Sequence, residues 1–164
     1  GSIRVYAART GTHKVRPTVA DLRQTEQNKN LGKKVLDEFR QRIIENKSSL
    51  HRLLTEVKQT GKTIAGISAP GRATALLNYA GITKELMSET MEITGSQKIG
   101  KIIPGTGILI APETELYKKA PDYALILSWH FAQELMPKIK AKGFQGDFIL
   151  PLPTAKIIRN AEVR

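Results

Sequence analysis

Thr63-Ile64-Ala65-Gly66-Ile67-Ser68-Ala69-Pro70-Gly71-Arg72-Ala73 reads as a short buried strand, a bend of small residues and the opening of a helix. An apolar run of this length, bounded by turn residues, suits a strand covered on both faces. The helix that follows, Arg72–Tyr79, is stopped by Gly81, a residue able to take the left-handed conformation beyond a last turn. The same alternation recurs downstream. Strands are expected at Thr90–Ile93, Ile108–Ala111, Tyr123–Ser128 and Asp147–Leu150. Helices are expected at Pro112–Lys119, with proline at its start, and at His130–Lys142, ended by Gly143. Strands interleaved with helices predict an α/β fold: a Rossmann-like three-layer domain with a mostly parallel sheet of about five strands. This domain covers 62–164 and is preceded by a long N-terminal helix.

Upstream, 18–61 reads as a helical connector. Thr18 with Asp21 resembles a capping arrangement opening a short helix to Gln27. Leu31, Val35, Phe39, Ile43, Leu50, Leu54 and Val57 then mark one apolar face. A helix from Asn30 to Thr60 would extend about 45 Å, more than a small domain needs for its own core, so part of it is expected to bridge to a neighbour. Residues 1–17 form a tail in which Ile3-Arg4-Val5-Tyr6 fits a strand without a partner hairpin. Gly1-Ser2 fits either native sequence or a cloning remnant.

Composition narrows the function classes. The 164 residues contain no cysteine, which excludes disulfides, thiolate metal sites and a cysteine nucleophile. No apolar run is long enough to span a membrane and no signal peptide opens the chain, so a soluble, cytoplasmic protein is expected. The formal charge of +11 is uneven. Residues 1–62 hold 14 Lys/Arg against 6 Asp/Glu, and 63–164 hold 12 against 9. Nucleic-acid binding through phosphates is one account of this charge, but no nucleic-acid motif accompanies it. A solvated basic helix, or one facing an acidic partner domain, explains it as well.

In an open α/β sheet, ligands bind beyond the carboxyl ends of the strands. The bend Ser68, Ala69, Gly71 and the side chain of Arg72 are therefore candidate phosphate contacts, through free N–H groups at the helix start and a guanidinium fork. Glu92 lies where dinucleotide enzymes place a ribose-binding acid, although a solvated strand-end carboxylate is the simpler reading. Pro104-Gly105 is a turn by its dihedral needs. Thr106 offers a hydroxyl and Lys98 a charge. Ser128 is a candidate helix cap, Trp129 a packing residue, and His130 a candidate hydrogen-bonding imidazole near a helix start. His13 and His51 have no metal-ligand spacing, and no metal is expected. The pattern supports a ligand-binding sheet without a reaction centre of its own.

Four blocks, in order, resemble the C-methyltransferase C-terminal domain family. They are Ala69-Pro70-Gly71-Arg72-Ala73-Thr74-Ala75-Leu76-Leu77-Asn78-Tyr79-Ala80-Gly81-Ile82; Gln97-Lys98-Ile99-Gly100-Lys101-Ile102-Ile103-Pro104-Gly105-Thr106; Pro121-Asp122-Tyr123 with Leu125-Ile126-Leu127-Ser128-Trp129-His130-Phe131; and Phe148-Ile149-Leu150-Pro151-Leu152-Pro153. Ser68 and Ala73 stand where the family often has glycine. Gly1-Ser2-Ile3-Arg4-Val5-Tyr6 is similar to the last strand of the methyltransferase domain that precedes this one in the family.

The resemblance implies an enzyme that transfers a methyl group from S-adenosylmethionine (SAM) to a carbon of a nucleotide-linked ketosugar. A proton beside the carbonyl would leave, and the enolate would attack the sulfonium methyl. SAM would be held by a domain absent here, so this chain is expected to be a fragment with no cofactor and no catalytic residue of its own. It would serve as a substrate-binding and interdomain module whose partners are the sugar nucleotide and the enzyme's own SAM domain. Ser68, Ala69, Gly71, Arg72, Asn78, Tyr79, Lys98, Gly105, Thr106 and His130 are the positions carried over to the substrate cleft. The alternatives are a stand-alone NAD(P)- or CoA-binding Rossmann domain and a basic nucleic-acid-binding protein.

Overall fold

The computed structural model describes residues 3–30 and 32–164. The chain divides into two compact units, Gly1–Gln41 and Arg42–Arg164.

In the first unit, the strand expected over Ile3–Tyr6 is not formed. Ile3, Val5 and Tyr6 are about three-quarters exposed. An alternating run gains stability as a strand only when a neighbour completes its hydrogen bonds, and none of the described residues does so. Helix α1 spans Pro17–Asn28, with Arg16 as its cap residue and Pro17 at its first position. The capping role expected of Thr18 thus falls two residues too late: Pro17, which lacks an N–H, already occupies the first helical position, which needs none. No residue of α1 is buried.

Helix α2, Lys33–Gln59, begins in the first unit and ends in the second. Of the expected apolar face, Leu50, Leu54 and Val57 are buried, whereas Phe39 and Ile43 are exposed. Leu31 lies outside the described residues.

The second unit carries a six-stranded sheet in the order β3-β2-β1-β4-β5-β6. Its strands are β1 (Ile64–Ile67), β2 (Glu89–Glu92), β3 (Leu109–Pro112), β4 (Tyr123–Ile126), β5 (Asp147–Leu150) and β6 (Lys156–Ile158). The first five are mutually parallel and β6 returns antiparallel along β5. The sixth strand was not expected: three residues with a lysine, close behind a proline-rich stretch, carry too little pattern. Pro112 ends β3 rather than opening a helix, and α4 is Thr114–Lys119. Likewise α5 is Ala132–Ala141, with a separate 3-10 turn at Trp129–Phe131 before it.

Strand periodicity sorts the core into two faces. Leu125 and Leu127 point with Ile64, Ile110 and Ile149 toward α2 and α3 (Gly71–Ala80), where Leu50, Leu54, Ala73 and Leu77 meet them. Ala124 and Ile126 point with Ala65, Ile67, Ala111 and Phe148 toward α4 and α5, meeting Leu116, Met136 and Ile139. Successive side chains of a strand alternate, so a sheet buried on both faces needs the continuous apolar runs seen in β1 and β4. The result is the expected three-layer, Rossmann-like arrangement.

Candidate functional site

Strand order reverses at β1, whose neighbours are β2 on one side and β4 on the other. A crevice beyond the carboxyl ends opens at such a point. The chain leaves β1 through Ser68, which adopts φ +70°, a conformation costly for a residue with a Cβ. Two neighbours hold it there. Its N–H donates to the Met91 carbonyl at 2.7 Å, and its carbonyl accepts the Thr90 hydroxyl at 2.7 Å.

Ala69 follows, buried, and its N–H donates to Glu92 Oε2 at 3.0 Å. The other oxygen, Oε1, accepts the N–H of Ile93 at 3.1 Å. Glu92 is 9% exposed and is therefore not the solvated carboxylate of the simpler sequence reading. Lys98 donates to the Ala69 carbonyl at 2.9 Å, with its ammonium 3.9 Å from Glu92 Oε2.

Pro70 has no N–H, and α3 then opens with Gly71 and Arg72 and no side-chain cap. Among the described residues, neither of their N–H groups has an acceptor. These are the orphan donors of a helix start, oriented for an anion. A Cβ on Gly71 would meet nothing within 4 Å, so the bend is open at this point.

The Arg72 guanidinium lies 3.0 Å from His130 Nδ1, and its central carbon stands 5.9 Å over the Trp129 ring. An arginine only donates, so in this contact Nδ1 is the acceptor. The Trp129 and His130 rings are 5.0 Å apart. His130 occupies the 3-10 turn, not the start of α5, because the chain makes that extra turn on leaving β4. The structure thus brings Ser68, Ala69, Gly71, Arg72, Lys98 and His130 to one edge of the sheet. It adds Glu92, weighed from the sequence only as a ribose-binding or solvated acid, and Trp129, read there as a packing residue. Their partners lie 23 and 57 residues away in sequence, and only the strand order reveals the contact.

Asn78, Tyr79, Gly105 and Thr106 gather elsewhere. The Asn78 amide donates to the Thr74 and Pro104 carbonyls at 2.8 and 3.0 Å. Gly105 has φ +79°, and a Cβ there would collide with Asn78 Oδ1. Thr106 is 4% exposed; its hydroxyl donates to the Ile103 carbonyl at 2.9 Å and accepts the Ile108 N–H at 3.1 Å. The Thr106 carbonyl accepts the N–H of Lys84, in the loop that leads into β2. These residues therefore lie toward the amino ends of the strands, where they pin the loop before β3 to the end of α3. Tyr79 is half exposed, with Lys47 4.9 Å above its ring. A groove of about 700 Å³ lies on that side as well, lined by Lys47, His51, Arg52, Ala80 and Gly81 among others.

The fit to SAM can be tested on Glu92. In a Rossmann-like sheet the acid ending β2 receives ribose hydroxyls. Here both its oxygens already hold backbone N–H groups and the side chain is buried. Glu92 is thus engaged by the backbone of the bend rather than free in the crevice. Among the described residues, no group of three or more His, Asp or Glu is placed to hold a metal ion. No helix among them is long and apolar enough to cross a membrane.

Residues 1–153 match the C-methyltransferase C-terminal domain. The C-methyltransferase NovU of Streptomyces niveus is 33% identical over 161 residues, an alignment covering 96% of this chain and 38% of NovU. The chain thus spans well under half the length of that relative. With its Rossmann-like sheet, its bend at the strand tips and a match over nearly its whole length, the chain belongs to the C-methyltransferase C-terminal domain family.

Proposed function

We propose that this chain is the substrate-binding and interdomain module of a SAM-dependent C-methyltransferase, and that the bend after β1 faces the phosphates of a nucleotide-linked ketosugar. One observation carries the reading. The open N–H groups of Gly71 and Arg72 sit beside a guanidinium already oriented by His130 and Trp129. Backbone donors at a helix start and an ordered arginine together suit a diphosphate. Ser68 and Ala69 shape the bend, and Lys98 adds positive charge at its rim. Asn78, Tyr79, Gly105 and Thr106 have a supporting role in this reading, because their polar atoms serve the opposite edge of the sheet.

SAM supplies the methyl group, and on this reading it binds polypeptide outside these 164 residues. Coverage of 38% of NovU leaves ample length for it, and the occupied Glu92 argues against a site here. The same occupied carboxylate disfavours the dinucleotide-binding alternative.

Calorimetric titration of the chain tests the assignment. Uridine 5′-diphosphate is expected to bind, and SAM to give no heat of binding. Arg72→Ala should weaken the diphosphate by about 1–3 kcal/mol, the range for a lost hydrogen bond to a charged group. Unchanged affinity in Arg72→Ala, or micromolar SAM binding, would contradict the proposal.

A further inference from the structure

We propose that Glu92 and Lys98 are a positioning pair: together they hold Ala69 by both its N–H and its carbonyl, and so keep the bend in the shape that presents Gly71 and Arg72 to a ligand. The inference rests on the phosphate-facing reading of the bend and adds the residues that set its shape.

The geometry of the pair is specific. Glu92 Oε2 accepts the Ala69 N–H at 3.0 Å, while Lys98 donates to the Ala69 carbonyl at 2.9 Å. The two side chains approach each other to 3.9 Å. Ala69 itself is buried, so its N–H would lack any acceptor if Glu92 were removed. The bend needs such a clamp, because Ser68 at φ +70° persists only where surrounding contacts over-determine it. The carboxylate also divides the donors of the bend. It takes the inward-facing N–H of Ala69 and leaves those of Gly71 and Arg72 open. Neither side chain is required by the strands: Glu92 ends β2, and Lys98 lies in the following loop.

Amide exchange and calorimetry on the 164-residue chain decide the matter, with uridine 5′-diphosphate as the probe. In Glu92→Ala and Lys98→Met, exchange at the Ala69 amide should accelerate, and diphosphate affinity should fall, by about tenfold in Glu92→Ala and by less in Lys98→Met. Ile139→Val in α5 serves as a destabilised control that should retain both wild-type values at the bend. Unchanged Ala69 exchange in either folded variant overturns the clamp, as does an equal loss of affinity in the control. Should Glu92→Ala fail to fold, Lys98→Met carries the test, since that side chain is half exposed. A wild-type chain that binds no diphosphate would instead sink the phosphate reading, and Ala69 exchange would still judge the clamp by itself.

Discussion

Ser68 concentrates the local strain of the site. Its positive φ is tolerated by a small polar residue but strongly disfavoured for a β-branched one. Ser68→Val should therefore lower stability by about 1–3 kcal/mol. Ser68→Gly should change it by less than about 1 kcal/mol, because relief of strain is offset by the greater freedom of unfolded glycine. Urea unfolding of the two variants checks both values, and a stable valine variant would show the bend to be unstrained. The sequence announces this bend through its run of small residues, yet it gives no sign of the left-handed turn at serine rather than at the nearby glycines. That choice is made by Met91 and Thr90 on the neighbouring strand.

Among the elements, β1 and β4 are tied at their starts as well as along their lengths. Asp122 accepts the Thr63 N–H at 2.9 Å, the Thr63 hydroxyl at 2.8 Å and the Lys62 ammonium at 2.8 Å. The Lys62 hydrogen bond, followed by those of Thr63, lowers the Asp122 pKa from 3.8 to about 2. A depressed carboxylate stabilises the fold above its unfolded pKa. That contribution is lost as pH falls from about 4 toward 2. The melting-temperature gap between wild type and Asp122→Asn should hence be widest near neutral pH and close across this interval. A gap that stays constant down to pH 2 would remove Asp122 from the strand tie. Elements were legible wherever periodicity was strong, as in the uninterrupted apolar run of β4. They were not legible where pairing alone defines them. β6 exists because β5 offers an edge, and Ile3–Tyr6 forms no strand because no described residue pairs with it. The site divides in the same way. Arg72 and the small-residue bend follow from local pattern, whereas the contacts of Glu92 with Ala69 and of Arg72 with His130 depend on which strands lie side by side.

At the scale of the whole molecule, the later turns of α2 are part of the core of the second unit. Leu50 and Leu54 are fully buried against α3 and the sheet, while Ile44 remains exposed. Leu54→Ala should destabilise the chain by about 2–4 kcal/mol through lost burial and a residual cavity. Ile44→Ser should stay within about 0.5 kcal/mol, as for most surface changes. Equal losses measured by denaturant unfolding would mean that the early turns belong to the same core. The expected length of α2 follows from its apolar spacing, but spacing does not say what each turn packs against.

Trp129, the single tryptophan of the chain, stands beside the Arg72 guanidinium and the His130 ring. Indole emission responds to the charge and polarity around it, so this domain carries an optical gauge at the strand tips. Any solute that displaces the guanidinium or neutralises it should alter that light without a label being attached. Tyrosine and phenylalanine elsewhere would not obscure the signal under selective excitation.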